Sequence, residues 1–149
     1  MKIGRITLCT VIFFFLSALD TRAGDVVELR IDTVLATNSS QEIDQRLGQM
    51  KRQLDNLFRY SSYRLVKEES RRARWGDPTS FNIPGGRYLQ VIPKSYRDNR
   101  VSLRVMLIEG DRPTVDTEIV LRNGGVFFVG GRRHQEGVLI ISIGAATEE

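Results

Sequence analysis

Two stretches carry the residue types from which a site can be built. In Gly130-Gly131-Arg132-Arg133-His134-Gln135-Glu136-Gly137 the chain's single histidine stands beside two arginines. Adjacent positive charge disfavours a second one, so His134 is expected to be neutral and able to accept a proton or contact a ligand. The bland reading is a solvated hairpin tip, the more frequent fate of loop charges. In the second stretch Arg71, Arg72 and Arg74 precede Trp75, with Arg64 and Lys67 just upstream. Such a set suits an anionic glycan, a lipid headgroup or an acidic protein surface, with the indole as anchor. The bland reading folds Trp75 back into the core, where tryptophan is mostly found.

Nucleophilic, metal and phosphate-cradle chemistries lack their components, whereas a carboxylate pair for glycoside hydrolysis is set by three-dimensional separation and stays open. Nucleophilic catalysis needs an activated Ser, Thr or Cys beside a base, and no Gly-x-Ser-x-Gly elbow occurs. Carboxylates are largely interleaved with arginine, and one histidine gives no recognisable metal spacing. The glycine pairs 85–86 and 130–131 border strand-like runs, whereas a phosphate cradle opens a helix. The expectation is a non-catalytic protein with no cofactor and no metal.

The N-terminal residues indicate destination. Lys2 and Arg5 precede the apolar run Ile6 to Leu19, and Thr21-Arg22-Ala23 has small residues where a signal peptidase cuts. Fourteen helical residues rise about 21 Å, short of a hydrocarbon core of about 30 Å. Residues 1–23 therefore read as a cleaved signal peptide, leaving 24–149 as one domain that is periplasmic or secreted. Cys9 departs with it, so no mature thiol or disulfide remains. Lys2, Arg5, Arg22 and Asp20 also leave, lowering the net charge from +4 to +2. A nucleic-acid partner does not suit an exported domain so near neutrality; another envelope protein does, with peripheral membrane contact as a lesser option.

Elements must position these stretches. Ile43, Leu47, Met50, Leu54, Leu57 and Phe58 recur at helical spacing, and Ser39 with Glu42 has the form of a capping box. A long amphipathic helix over 39–58 is expected, with Gly48 inside it. Val27, Leu29 and Ile31 alternate with polar residues as a strand does, and Tyr63 to Lys67 follows the helix as a second. Strand, helix, strand suggests a parallel crossover. Residues 68–80 read as an irregular loop. Phe81–Ile83 and Arg87–Ile92 flank Pro84-Gly85-Gly86 as a hairpin, and alternating runs follow at 101–107 and 115–121. Asn123-Gly124 is the strongest type I′ hairpin signal, joining 115–121 to 126–129. Val138-Leu139-Ile140-Ile141 lacks alternation, as in a strand covered on both faces. The fold class is α+β: a mostly antiparallel meander with one long helix packed across a face. Its two sheet edges offer backbone groups to a partner strand.

The run Leu121-Arg122-Asn123-Gly124-Gly125-Val126-Phe127-Phe128-Val129-Gly130-Gly131, with Leu139-Ile140-Ile141-Ser142-Ile143 after it, is similar to a strand–turn–strand segment of the secretins. These are outer-membrane channels of bacterial secretion systems. The likeness covers residues 121–143, while the chain as a whole looks like a small exported bacterial protein. It implies a protein-interaction or assembly accessory in the envelope. The alternative is a small-ligand or anionic-glycan domain using the Arg71–Trp75 stretch. Export predicts that the mature chain starts at Gly24; mass spectrometry of native protein that still carries residues 1–23 would contradict it.

Overall fold

Alternation along the chain is resolved into eight strands in two antiparallel sheets. The computed structural model describes residues 25–148, so the signal-peptide reading and Cys9 lie outside the described residues. The strands are β1 (Val26–Thr37), β2 (Ser62–Arg74), β3 (Thr79–Ile83), β4 (Arg87–Arg97), β5 (Arg100–Glu109), β6 (Arg112–Arg122), β7 (Val126–His134) and β8 (Gly137–Thr147). One sheet has the order β2-β1-β8-β7, the other β3-β4-β5-β6.

The main core lies between the sheets. Val27, Leu29 and Ile31 of β1 and Leu139, Ile141 and Ile143 of β8 join Phe81, Leu89, Val91, Leu103 and Val105 of the second sheet in one buried cluster. Alternate residues of each strand therefore face inward, as a two-layer arrangement requires. From Ile31 to Ala36, however, every residue of β1 is buried. Val34 and Ala36 face a second cluster that also contains Leu65, Ile140, Leu47 and Leu54. The non-alternating run 138–141 has the same cause: β8 lies between β1 and β7, and its residues are divided between the two clusters.

The expected long helix is replaced by a 3-10 turn, Gln45–Leu47, and an eight-residue helix α1, Met50–Leu57. Gly48 separates them at φ 48°, a conformation that a continuous helix excludes. The Ser39–Glu42 capping box does not form; Ser39 Oγ donates instead to Thr37 Oγ1 at 3.1 Å. Asp44 is the cap, its carboxylate accepting from Arg46 N at 3.0 Å and from Leu65 N of β2 at 3.2 Å. The apolar spacing nevertheless has a structural counterpart, since Ile43, Met50 and Phe58 pack on the cluster around Leu47 and Leu54. Leu57 is the exception and is 62% exposed.

The parallel crossover is also corrected. β1 and β2 are antiparallel, with Thr37 opposite Ser62, so residues 38–61 form an excursion within a wide hairpin. Ser61 N fastens its neck by donating to Thr37 O at 3.2 Å and Asn38 Oδ1 at 3.0 Å. Residues 68–74, read as irregular, continue β2, and the turn between β2 and β3 is confined to 75–78.

Asn123-Gly124 is a corner between sheets. β6 belongs to one sheet and β7 to the other, so no hairpin joins them. Gly124 does have positive φ (76°), but the neighbouring bonds reach across the molecule. Asn123 N donates to Asn99 O (2.8 Å), its Nδ2 donates to Thr147 O (2.9 Å), and its Oδ1 accepts from Thr147 N (2.9 Å). The two-residue turn with both φ positive lies at Asp98-Asn99 (51° and 59°), between paired Arg97 and Arg100. The Pro84-Gly85-Gly86 hairpin is present as expected, with Ile83 opposite Arg87.

These contacts predict that Leu54→Ala lowers stability by about 2–5 kcal/mol, since Leu54 is fully buried. Leu57→Ala stays within about 0.5 kcal/mol. Urea melts giving equal losses would show that the cluster around Leu54 is misassigned.

Candidate functional site

The arginine-rich stretch does not converge. It lies on the edge strand β2, where successive side chains point to opposite faces. Arg71 pairs with Leu29 and Ala73 with Val27, on the face toward the second sheet, whereas Arg72 opposite Glu28 and Arg74 opposite Val26 lie on the other. Arg71 is engaged there. Its guanidinium stands 5.4 Å from the Phe81 ring centroid and 2.8 Å from Glu69 Oε1. Lys67 Nζ is 2.8 Å from Glu69 Oε2 and donates to Asn82 O at 2.8 Å. Hydrogen bonds from Lys67 and Arg71 hold the Glu69 carboxyl below its ordinary pKa, against the opposing effect of its burial. Lys67, Glu69 and Arg71 thus form an inward-pointing charged row along β2. Trp75 is half-buried and packs on the main core.

The second stretch extends a strand and is no open loop. β7 runs through Arg132 and Arg133 to His134, which pairs with Gly137 across the turn Gln135-Glu136. The side chain of Arg132 lies outside the described residues; Arg133 is exposed and His134 half-buried. His134 Nδ1 lies 3.4 Å from the position a Cβ on Gly85 would take, so this tip meets the Pro84-Gly85-Gly86 turn. The two basic stretches are not brought together. Arg74 is level with Val26 at one end of β1, while Val138, next to the His134 turn, is level with Ala36 at the other. Ten steps of strand separate those levels by roughly 33 Å.

A cleft of about 490 Å³ opens on the outward side of the first sheet, between Arg30 and Asp32 of β1, Met50 and Gln53 of α1, and Gly125-Val126. Asp32 is buried, and Arg30 Nε donates to its two oxygens at 3.3 and 3.2 Å while Arg30 Nη2 reaches Glu68 at 2.8 Å. Burial pushes the Asp32 carboxyl up, with Arg30 opposing the shift. Among the described residues no group of three His, Cys, Asp or Glu side chains is placed to hold a metal ion.

The four sheet edges differ. β2 carries the charged row, β3 is five residues long, and β6 contains Pro113, Asp116 and Glu118. Each is a recognised protection against added strands. β7 has no charge from Val126 through Gly131, and Val126 and Phe127 are 41% and 39% exposed. Its pairing with β8 is regular from Val126 to Gly130 and becomes irregular from Gly131 to Arg133. Sequence reading overlooked the edge because the Asn123-Gly124 signal supplied β7 with a false neighbour. An uncharged nine-residue run, 123–131, bracketed by Arg122 and Arg132 was the available clue.

No protein-family model matches the chain, and no curated protein and no solved structure proved similar to it.

The electrostatics make one sharp prediction. Hydrogen bonds from the Arg46 side chain and backbone, with Leu65 N, hold the Asp44 carboxyl down at about 2. Its folded pKa lies below the unfolded value of about 3.9, so the stabilisation is complete above that value and is lost as pH falls toward 2. Asp44→Asn removes this contribution, and its stability should fall less steeply from pH 5 to pH 2 than that of the wild type. Parallel slopes in urea titrations would refute the assignment.

Proposed function

We propose that this chain is a non-catalytic exported domain that binds another envelope protein by accepting one of its strands along β7. The observation that carries the reading is the contrast among edges: three have charge, proline or short length, while Val126–Gly131 has none of these. An unprotected edge offers main-chain donors and acceptors for strand addition, and the flanking side chains set specificity. Exposed Val126 and Phe127 supply apolar surface beside those groups. The leader-like residues 1–23 support export to the periplasm or beyond. The secretin-like segment 121–143 includes β7, in keeping with a role as an assembly accessory. No described helix is long and apolar enough to cross a membrane.

Binding of an anionic glycan or small ligand is the second reading. It draws on Arg72 and Arg74, which share a face of β2 beside half-buried Trp75. Affinity capture from native envelope fractions separates the two readings when wild type, Phe127→Lys and Arg72→Ser/Arg74→Ser are compared at matched melting temperature. Strand addition predicts a captured protein that slows amide exchange over 126–130, is lost with Phe127→Lys and is kept by the double variant. Loss in the double variant alone would transfer the function to β2.

A further inference from the structure

Resting on the strand-addition reading, we infer that the incoming strand is an apolar segment with aspartate or glutamate at the end that lies beside Arg133. The two faces of β7 determine the apolar part. Phe127 and Val129 pair with Ile143 and Ile141, which belong to the main core, and Val129 packs on that core. Phe128 packs on the second cluster, on the opposite face. An added strand therefore meets apolar surface on both of its faces, so its central residues are apolar without strict alternation.

Charge sets the ends apart. Past Gly130, the strand reaches exposed Arg133. Phe58 Cε1 lies 3.5 Å from the position a Cβ on Gly130 would take, which brings the next residue, exposed Arg59, to this same end. Among the described residues neither arginine has a carboxylate partner within ion-pair distance. Glu136, in the turn, is the acidic residue nearest Arg133 in sequence, and Asp55, the one nearest Arg59, is paired with Lys51. At the Val126 end the charge is mixed: exposed Arg122 ends β6, while the adjoining cleft has Glu28, Arg30 and Asp32. A carboxylate is thus favoured at one end of the edge and not the other. The same charges disfavour a second copy of this chain. In a two-fold antiparallel pairing centred on Phe128, Gly130 of each copy would lie opposite Val126 of the other, which carries Arg133 toward the corner where Arg122 of the other copy stands.

The test uses the domain 24–149 and dye-labelled, end-capped peptides with a Val-Ile-Val-Phe-Val centre. Two aspartates are placed at either end, and control peptides carry two lysines. The better aspartate peptide should bind about tenfold more tightly than its lysine control at low salt, and the advantage should shrink as salt rises. Whichever end carries the effective aspartates gives the direction of the added strand. Arg59→Ser/Arg133→Ser should erase the difference while keeping peptide binding, and Phe127→Lys should abolish both. Equal binding of aspartate and lysine peptides, still lost in Phe127→Lys, would overturn the acidic-end inference and leave strand addition standing. No peptide binding, or binding untouched by Phe127→Lys, would overturn strand addition itself. A concentration-dependent dimer that dissolves with Phe127→Lys would name a second copy as the occupant and overturn the inference.

Discussion

The pairing of β1 with β8 is the constraint on which the remaining structure depends. These strands come from opposite ends of the described chain, and their register runs from Val27 opposite Thr147 to Ala36 opposite Val138. Both faces of this pair are apolar over the half nearest Ala36, so it must be covered twice. One cover is the second sheet, through Leu29, Ile31, Ile141 and Ile143. The other comes from residues 43–58, through Leu47 and Leu54 against Val34 and Ile140. Burial on this scale is the main favourable contribution to folding, and its location fixes where each peripheral strand can go. β2 and β7 then flank the pair, and the second sheet closes over it.

Toward the opposite end the outward face of the same pair turns polar, with Glu28, Arg30 and Asp32 on β1 and Ser142 and Gly144 on β8. No apolar cover is needed there, and the first turn of the helix, with Met50 and Gln53, borders the cleft that remains. Asp32 tolerates burial because Arg30 bridges it to Glu68. The Asn123 corner belongs to the same end: its amide bonds both backbone groups of Thr147, and Asn123 N reaches the turn at Asn99. Chain reversal between sheets is thereby bonded to the end of β8, as a buried or half-buried corner requires of its polar groups.

Edge protection links this architecture to the proposed function. Lys67, Glu69 and Arg71 seal one open side, with Arg71 lying over Phe81. Aliphatic stems can cover the core rim there while charged groups stay hydrated. The other side ends in β7, whose side chains from Val126 to Val129 are all apolar and whose charges begin only with Arg132. One sheet therefore presents opposite edge chemistries, a charged row at β2 and an uncharged apolar run at β7.

Local information was legible in the sequence. Period-two runs located the start of β1, β5 and much of β6, the tripeptide Pro84-Gly85-Gly86 gave the hairpin of β3 and β4, and the unbroken 138–141 run announced a doubly covered strand. Helical spacing identified the residues of the second cluster but overestimated the helix, because Gly48 uses positive φ instead of continuing it. Non-local matters were decided only by tertiary structure. Asn123-Gly124 accommodates positive φ at a sheet corner as readily as in a hairpin, so the dipeptide could not say which strand β6 would neighbour. Residues 68–74 looked irregular because charge occupies both faces of β2, hiding the alternation that places Arg71 opposite to Arg72 and Arg74. The proposed edge followed the same rule: the uncharged run of β7 is written in the chain, but its being an edge is a property of sheet order. Turn chemistry and side-chain period act over a few residues; the choice of neighbour is made by which faces can be buried together.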